Sequence, residues 1–452
     1  MFFMNIPSTL EKWKHHITRR LKEEFANRLS PREERLRWAS DKSNSLWKVR
    51  MKSVEMLEHR GISIGRWFKY VDYKCKPGEI LEQGKNLRGI GDLTNPGSCV
   101  AAYMMDWVKN AFREYNDQGY LHYFCKSPER SELCKVYTAL LKPELACFTY
   151  FSDDSCVSVR CTDGVFKCNM DIKACDGSNF KPIFDFFEEI LTFSSPYQDD
   201  AARLFDQLRS DFVVRNPGGK EKIRFTQDGA NGGSTLFSGS SYTTTANNVA
   251  NTCISMAFKE RLLERDNLTM AEVPEMLRRA AYSCGFLVKI FPQENASGLQ
   301  FLKTSPAFDE QGNIVPQLNL GTILRSFGTF RGDYPGRGEL GKRVELFNSE
   351  VVRSYRHAGN NDVLNAFRRR FILPERMRRT RDKRVSESLQ MKITGENVEY
   401  VGTRWIEERY GCTSVEVDEF CELILRSEYH EIYARPIIDK IMSVDYGYAS
   451  VL

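Results

Sequence analysis

Long hydrophobic runs, paired cysteines and internal repeats are all missing from this chain. No apolar stretch approaches the roughly 20 residues that a membrane helix needs. Met1-Phe-Phe-Met is too short to serve as an anchor, and no secretion signal is evident. The thirteen cysteines include no Cys-x-x-Cys pair, so free thiols in a reducing cytosol are expected. His122-x2-Cys125 with Cys134 nearby is the one zinc-like grouping. It lacks a convincing fourth ligand, and unliganded side chains are expected there. No low-complexity linker divides the sequence.

What is present is ordinary in bulk and uneven in detail. A chain of 452 residues can bury a large core and form several subdomains. Its 41% hydrophobic and 28% charged content fits a soluble globular protein. The net charge is +5, yet nine basic and two acidic residues fall between Phe367 and Arg384. That stretch holds Arg368, Arg369, Arg370, Arg376, Arg378, Arg379, Arg381, Lys383 and Arg384, so the rest of the chain is slightly acidic. Such a stripe suits a phosphate backbone, and a solvated arginine-rich helix accounts for it equally well.

The most telling stretch runs from Leu145 to Val159, where Asp153 and Asp154 stand side by side between alternating apolar and small residues. The pattern predicts two strands joined by a tight acidic turn. Adjacent carboxylates repel, and desolvation adds to the cost. A divalent metal removes both penalties, because hard cations prefer carboxylate oxygen. A second acidic pair, Asp171 and Asp176, follows in the strand-like run Cys168–Asn179. Next comes a Ser-Gly turn running into a helix, with Ser238, Gly239, Thr243 and Asn247.

These residues carry a resemblance. Asp171-x4-Asp176 resembles motif A of viral RNA-dependent RNA polymerases. Ser238-Gly239-x3-Thr243-x3-Asn247 resembles their motif B, and Ser152-Asp153-Asp154 resembles motif C, where glycine usually stands in place of Ser152. The order along the chain is C, A, B, a permutation known in birnavirus and permutotetravirus polymerases. Each motif alone is weak, and their joint occurrence in the expected local contexts is specific. The likeness covers roughly Lys74 to Thr304.

The resemblance implies an α+β right-hand polymerase with fingers, palm and thumb, and an antiparallel palm sheet backed by helices. Residues 1–144 would form an N-terminal arm and fingers, with palm at 145–180. A fingers insertion would follow at 181–232, then palm again at 233–305 and thumb at 306–452. RNA synthesis from ribonucleoside triphosphates on an RNA template is the implied activity, using Mg2+ or Mn2+. Asp153 and Asp171, with Asp154 third, would hold the metal. Asp176 and Asn247 would read the ribose 2′-hydroxyl, positioned by Ser238, Gly239 and Thr243. A reverse transcriptase usually carries a bulky residue where Asp176 stands, so ribonucleotides are favoured.

Further segments take roles by the same resemblance. Lys74, Lys76, Lys85 and Arg88, on a glycine-punctuated segment, would face the triphosphate as in motif F; a basic surface loop is the alternative. Lys289 would be the general acid of motif D, or a strand lysine reaching for solvent. Gln300–Thr304 resembles the primer-grip motif E. Arg368, Arg369, Arg370, Arg378, Arg379 and Arg381 would meet RNA. Replication proteins of virus or host are implied partners, in the host cytoplasm, on a membrane-bound replication complex or in the virion. No helicase, protease or capping domain is evident. Two other readings stay open: a non-catalytic palm-like RNA-binding protein, and another nucleotidyltransferase such as a reverse transcriptase.

Local signals predict further elements. Ser8-x-x-Glu11 and Ser30-Pro31-Arg32-Glu33 are capping-box starts of N-terminal helices, an arm that would bridge fingers and thumb. Residues 94–145 are expected to be mostly helical, and Phe180–Phe193 an apolar helix. Val213–Phe225 should be a hairpin with a Gly-Gly turn, and Gln227–Ser234 a loop. A helix is expected from Thr243 to about Glu264, and a second from Thr269-x-x-Glu272 to Cys284-Gly285. A strand Phe286–Phe291 and helices near 416–426 and 429–443 complete the expectations. Arg331-Gly332-Asp333-Tyr334 is expected to be a turn.

Overall fold

The computed structural model describes residues 8–42, 47–60, 70–75, 89–93, 101–126, 129–179, 181–192, 196–209, 211–215, 222–225, 236, 242–328, 339, 358–370, 398–426 and 435–447. The architecture is mixed α+β. Two compact units emerge: Met1–Lys126 with Pro143–Phe166 and Met170–Phe291, and Ser127–Lys142 with Lys167–Asn169 and Pro292–Leu452.

Two sheets are built mainly from residues of the first unit. In the smaller, β1 (Tyr70–Cys75) pairs with β2 (Gly89–Leu93) and with β8 (Phe212–Arg215), which pairs in turn with β9 (Lys222–Phe225). The described strands at the two ends of the segment that resembles motif F therefore share one sheet with the described strands of the expected 213–225 hairpin, through the parallel contact of β1 and β8.

The larger sheet has six strands in the order β10-β7-β6-β5-β4-β3. They are β3 (Glu114–Asp117), β4 (Tyr120–Phe124), β5 (Ala146–Phe151), β6 (Asp154–Cys161), β7 (Gly164–Ile172) and β10 (Val288–Pro292). The hairpin β5–β6 is antiparallel and closes with Phe151 opposite Asp154. One pair departs from the expected antiparallel pattern, since β4 and β5 run parallel. The chain between them passes through helix Arg130–Leu141, the kind of crossover that parallel neighbours require.

Among the described residues of the 94–145 range, a β-hairpin stands between two helices where mostly helix was expected. Helix Ala102–Phe112 is followed by the β3–β4 hairpin, with Gln118 at φ 55° and Gly119 at φ 76° in the turn. Two successive left-handed residues make the turn whose twist matches paired strands. The strand expected at Phe286–Phe291 begins two residues later, at Val288.

Helices cover this sheet. Helix Ser8–Ala26 buries Leu10, Trp13, Ile17, Leu21 and Phe25, a three-four spacing that lines one face. Trp13 packs edge-on to Phe112 at 5.2 Å and stacks with Phe186 of helix Lys181–Thr192 at 6.2 Å. The expected Ser8–Glu11 capping box is replaced by a long-range contact. The Ser8 amide and hydroxyl both donate to Glu260 Oε1, at 3.0 and 3.1 Å. Thr9 Oγ1 donates to the Met256 carbonyl at 2.6 Å. This part of the arm, expected to bridge fingers and thumb, thus packs on helix Thr243–Leu263. At Ser30 the box forms with Glu33 as the sequence predicts, ahead of helix Pro31–Ser40.

Within the second unit, β11 (Thr304–Phe308) and β12 (Ile314–Leu318) form an antiparallel hairpin beside helix Arg130–Leu141. Helices Leu320–Gly328, Asp362–Arg370, Arg404–Tyr410, Ser414–Arg426 and Pro436–Tyr446 enclose a core that includes Leu364, Trp405, Phe420 and Ile441. The last two lie close to the helices expected near 416–426 and 429–443.

Candidate active site

The acidic turn Ser152-Asp153 sits at the end of the β5–β6 hairpin. Ser152 has φ 57°, a left-handed conformation costly for any residue with a Cβ. Glycine would adopt it freely, which is a physical reason for glycine in the motif that this turn resembles. Asp153 is exposed and Asp154 half-buried.

Helix Thr243–Leu263 holds this turn through three asparagines. Asn248 Oδ1 accepts the Ser152 amide at 2.8 Å, and Asn251 Nδ2 donates to the Ser152 carbonyl at 2.5 Å. Asn247 Nδ2 donates to Ser152 Oγ at 3.3 Å. All three asparagines are buried. Their bonds to the turn therefore form in low dielectric, where a missing partner costs most.

The second acidic pair meets the same helix. Asp171 lies near the end of β7, and Ser155 Oγ donates to the neighbouring Met170 carbonyl at 3.1 Å. That bond ties the start of β6 to the end of β7. Beyond β7, Ala174 at φ 48° turns the chain into the single helical turn Cys175–Ser178, which carries Asp176. Asn247 Nδ2 donates to Asp176 Oδ1 at 2.7 Å. Asn247 Oδ1 accepts from Asn179 Nδ2 at 2.9 Å, and Asn179 also donates to the Cys175 carbonyl at 2.8 Å. Both edges of the Asn247 amide are thus engaged.

Cys175 reports the electrostatics of this corner. Its thiol is pushed well above the ordinary range by burial and then by the negative fields of Asp153, Asp176 and Asp171. Carboxylates from three separate segments thus act on one buried sulfur. Carboxylate oxygens are the hard donors that suit a divalent cation of the Mg2+ type, which needs few protein ligands and takes others from substrate phosphates. Among the described residues, no group of three or more His, Cys, Asp or Glu side chains is drawn into a ready metal cage.

The rest of the helix continues the same theme. Asn248, Thr252, Ser255 and Lys259 recur at helical spacing, and all are buried. Thr252 Oγ1 lies 3.4 Å from the Tyr150 hydroxyl, and Tyr120 donates to the Ser255 carbonyl at 3.0 Å. The His122 ring nitrogens lie 2.9 Å from Ser255 Oγ and 3.0 Å from the Tyr150 hydroxyl. Burial, then the positive fields of Lys259 and His16, lower the His122 pKa to about 3, so its ring is neutral. Lys259 pairs with Asp117 and lies 5.2 Å from the Tyr115 ring centre. Asp117 is held below the usual carboxylate range, chiefly by that lysine. This buried polar seam joins helix to sheet and positions the acidic turn. The expected apolar face (Val249, Ile254, Ala257 and Leu262) describes only another side of a helix buried nearly all round.

The other expected residues are scattered or lie elsewhere. Thr243 is half-buried at the first position of the helix. Lys289 is exposed on β10, next to β7. Lys74 falls on β1, opposite Ile90. Arg368 donates to the Gly359 carbonyl at 2.6 Å and to Asn365 Oδ1 at 3.1 Å, so its guanidinium bonds the start of its own helix. Arg369 and Arg370 are exposed at that helix's end. Ser238, Gly239, Lys76, Lys85, Arg88, Arg378, Arg379, Arg381, the 227–234 loop and Asp333 lie outside the described residues.

No protein-family model and no curated protein sequence matches the chain. Among solved structures it is similar to the RNA polymerase VP1 from Infectious Pancreatic Necrosis Virus, with a TM-score of 0.49 and 12% identity over 91% of this chain and 60% of that chain. It is also similar to the X-ray structure of the birnavirus VP1–VP3 complex, with a TM-score of 0.46 and 12% identity over 70% of this chain and 48% of that chain. Both are birnavirus VP1 structures. The chain spans about half and three-fifths of the lengths of these two structures. No helix among the described residues is long and apolar enough to cross a membrane.

Proposed function

We propose that this chain is a template-directed RNA polymerase with a permuted palm, joining ribonucleotides by phosphoryl transfer. The observation that carries this reading is the position of Asn247. Its amide bridges the acidic turn at Ser152 and the second acidic segment at Asp176, in a corner where Asp153, Asp176 and Asp171 act on one thiol. A site for nucleotide addition needs metal-binding carboxylates beside polar groups that sense the sugar, and the bonds of Asn247 to Ser152, next to Asp153, and to Asp176 support that reading.

In this reading Asp153 and Asp171, with Asp154 third, hold divalent metal. When bound, Mg2+ or Mn2+ lowers the pKa of the attacking 3′-hydroxyl and offsets charge on the leaving pyrophosphate. Asp176 and Asn247 hydrogen-bond the ribose 2′-hydroxyl, so a deoxy analogue leaves polar groups unpaired and is rejected. Thr243, Ser238 and Gly239 position that pair. Lys289 delivers a proton to pyrophosphate. Lys74, Lys76, Lys85 and Arg88 neutralise the triphosphate, and the arginines from Arg368 to Arg381 hold RNA. Fingers, palm and thumb follow the residue ranges expected from the motif resemblance, and the setting is the host cytoplasm with other replication proteins.

The test is RNA-templated incorporation of labelled ribonucleotide by the purified chain with Mg2+ or Mn2+, beside Asp153→Ala and Asp171→Ala. Activity that disappears in both variants supports the assignment. Activity that survives Asp153→Ala moves the catalytic turn elsewhere, with Asp333 next in line. RNA binding without incorporation in any form favours a binding protein.

A further inference from the structure

The geometry points to Asn248 and Asn251 as positioning residues that hold a strained serine turn in the shape its carboxylates need. This inference rests on the polymerase reading of Asp153 and Asp154. It concerns the conformation of the turn rather than the chemistry of its aspartates.

Ser152 carries φ 57° in a two-residue hairpin turn. A residue with a Cβ relaxes to negative φ unless its surroundings prevent it. Here its N–H and C=O are both taken by one helix, the first by Asn248 Oδ1 at 2.8 Å and the second by Asn251 Nδ2 at 2.5 Å. Rotating the Ser152 backbone would swing both groups away from buried partners. Asn248 and Asn251 are each 0% exposed, so no water replaces the lost bonds. Each asparagine also keeps one buried side-chain atom without a partner, Asn248 Nδ2 and Asn251 Oδ1. Neither has gained a second side-chain bond that would make it useful apart from the turn.

Asp153 follows Ser152 directly, and Asp154 opens β6. A change of backbone dihedral at Ser152 therefore re-aims both carboxylates. The clasp does for serine what glycine does by itself in this position: it makes the left-handed turn the stable one. The two solutions are interchangeable, and that gives a specific pattern of epistasis. Ser152→Gly should make the clasp dispensable. Ser152→Ala should not, because alanine keeps the Cβ and loses only the hydroxyl contact with Asn247.

The experiment is a set of double-mutant cycles on the full chain. It combines Asn248→Ala or Asn251→Ala with Ser152→Gly or Ser152→Ala. Mn2+ affinity is read by electron paramagnetic resonance of free and bound ion, with Asp153→Ala as the site control, and melting temperature is read in parallel. Each asparagine variant should weaken Mn2+ binding roughly three- to tenfold, the effect of one lost hydrogen bond. Ser152→Gly should restore that affinity and raise the melting temperature more in the asparagine variants than in the wild type. Ser152→Ala should restore neither.

Equal melting shifts from Ser152→Gly in all backgrounds would overturn the clasp. Non-additive melting with Mn2+ affinity unchanged would overturn its role in aiming the carboxylates. If the wild type and Asp153→Ala bind Mn2+ alike, the metal assignment fails, and the melting cycle still reports on the clasp. Should an asparagine variant not fold alone, recovery of its fold by Ser152→Gly and not by Ser152→Ala is the expected result. Rescue by both, or by neither, counts against the proposal.

Discussion

Arg409 Nη2 donates to Asp445 Oδ1 at 2.7 Å, and their side chains are 1% and 2% exposed. Asp445 also accepts the Tyr410 hydroxyl at 3.0 Å and the Gly321 amide at 2.8 Å. Arg409 reaches the Ser297 carbonyl at 2.7 Å and Gln300 Oε1 at 2.9 Å. The pair thereby fastens helices Leu320–Gly328, Arg404–Tyr410 and Pro436–Tyr446 to the segment just before β11.

Removing one partner strands the other charge in the interior. Arg409→Ala should therefore cost about 3–5 kcal/mol of stability. Gly321→Ala should also destabilise, because a Cβ there would lie 2.8 Å from Asp445 Oδ2. Chemical denaturation followed by tryptophan fluorescence reads both, with Trp405 as the reporter in this unit beside the five other tryptophans of the chain. A loss below about 1 kcal/mol for Arg409→Ala would show that the pair is not the clamp described here.

His122 supplies a pH dependence. Its folded pKa is near 3, below an unfolded value of about 6.5. Between those limits the unfolded chain binds a proton that the folded chain does not. Stability from this group is full above the unfolded value and falls by about 1.4 kcal/mol per pH unit on acidification towards the folded one. Melting temperature should drop between pH 7 and pH 5, and His122→Gln should drop less. Parallel curves for the two proteins would mean that the imidazole is protonated in the folded state.

Within the polymerase reading, Asn247 and Asp176 set sugar selectivity. Asn247→Ala and Asp176→Ala should each lower the preference for ribo- over deoxyribonucleotide in kcat/KM by roughly tenfold or more, the scale of one lost polar contact at 1–3 kcal/mol. Single-nucleotide incorporation with paired substrates measures it. An equal loss on both sugars would assign the pair a purely structural role.

At the β3–β4 turn, Gln118 sits at φ 55° where asparagine is better tolerated. Gln118→Asn creates an Asn-Gly turn and should stabilise the protein by on the order of 0.5 kcal/mol. Thermal melting would show a rise. A fall would mean that the glutamine side chain holds the turn by contacts of its own.

That turn also explains one failure of sequence reading. Asp117-Gln118-Gly119 lacks the asparagine that marks a tight hairpin, so the segment passes for helix. The β11–β12 hairpin is hidden for a different reason. Pro306 and Pro316 stand opposite each other in the two strands, and proline normally argues against a strand. A two-stranded ribbon tolerates them because each strand is an edge. The polar seam of Asn248, Thr252, Ser255 and Lys259 was legible as a helical spacing of polar residues. It draws no notice when only apolar residues are counted.

From the sequence alone follow the acidic turn, the helix that begins at Thr243 and the strand-like run through Asp171. These depend on alternation, adjacent carboxylates and local helix signals, all of which act over a few residues. Only the tertiary structure brings Asn247 to Asp176 and Asn248 to Ser152, across 71 and 96 residues of chain. Local dihedral preferences carry no information over such separations. The meeting is decided by which strands pair and by how a helix buries its polar side against them, where a buried polar group left unpaired is costly.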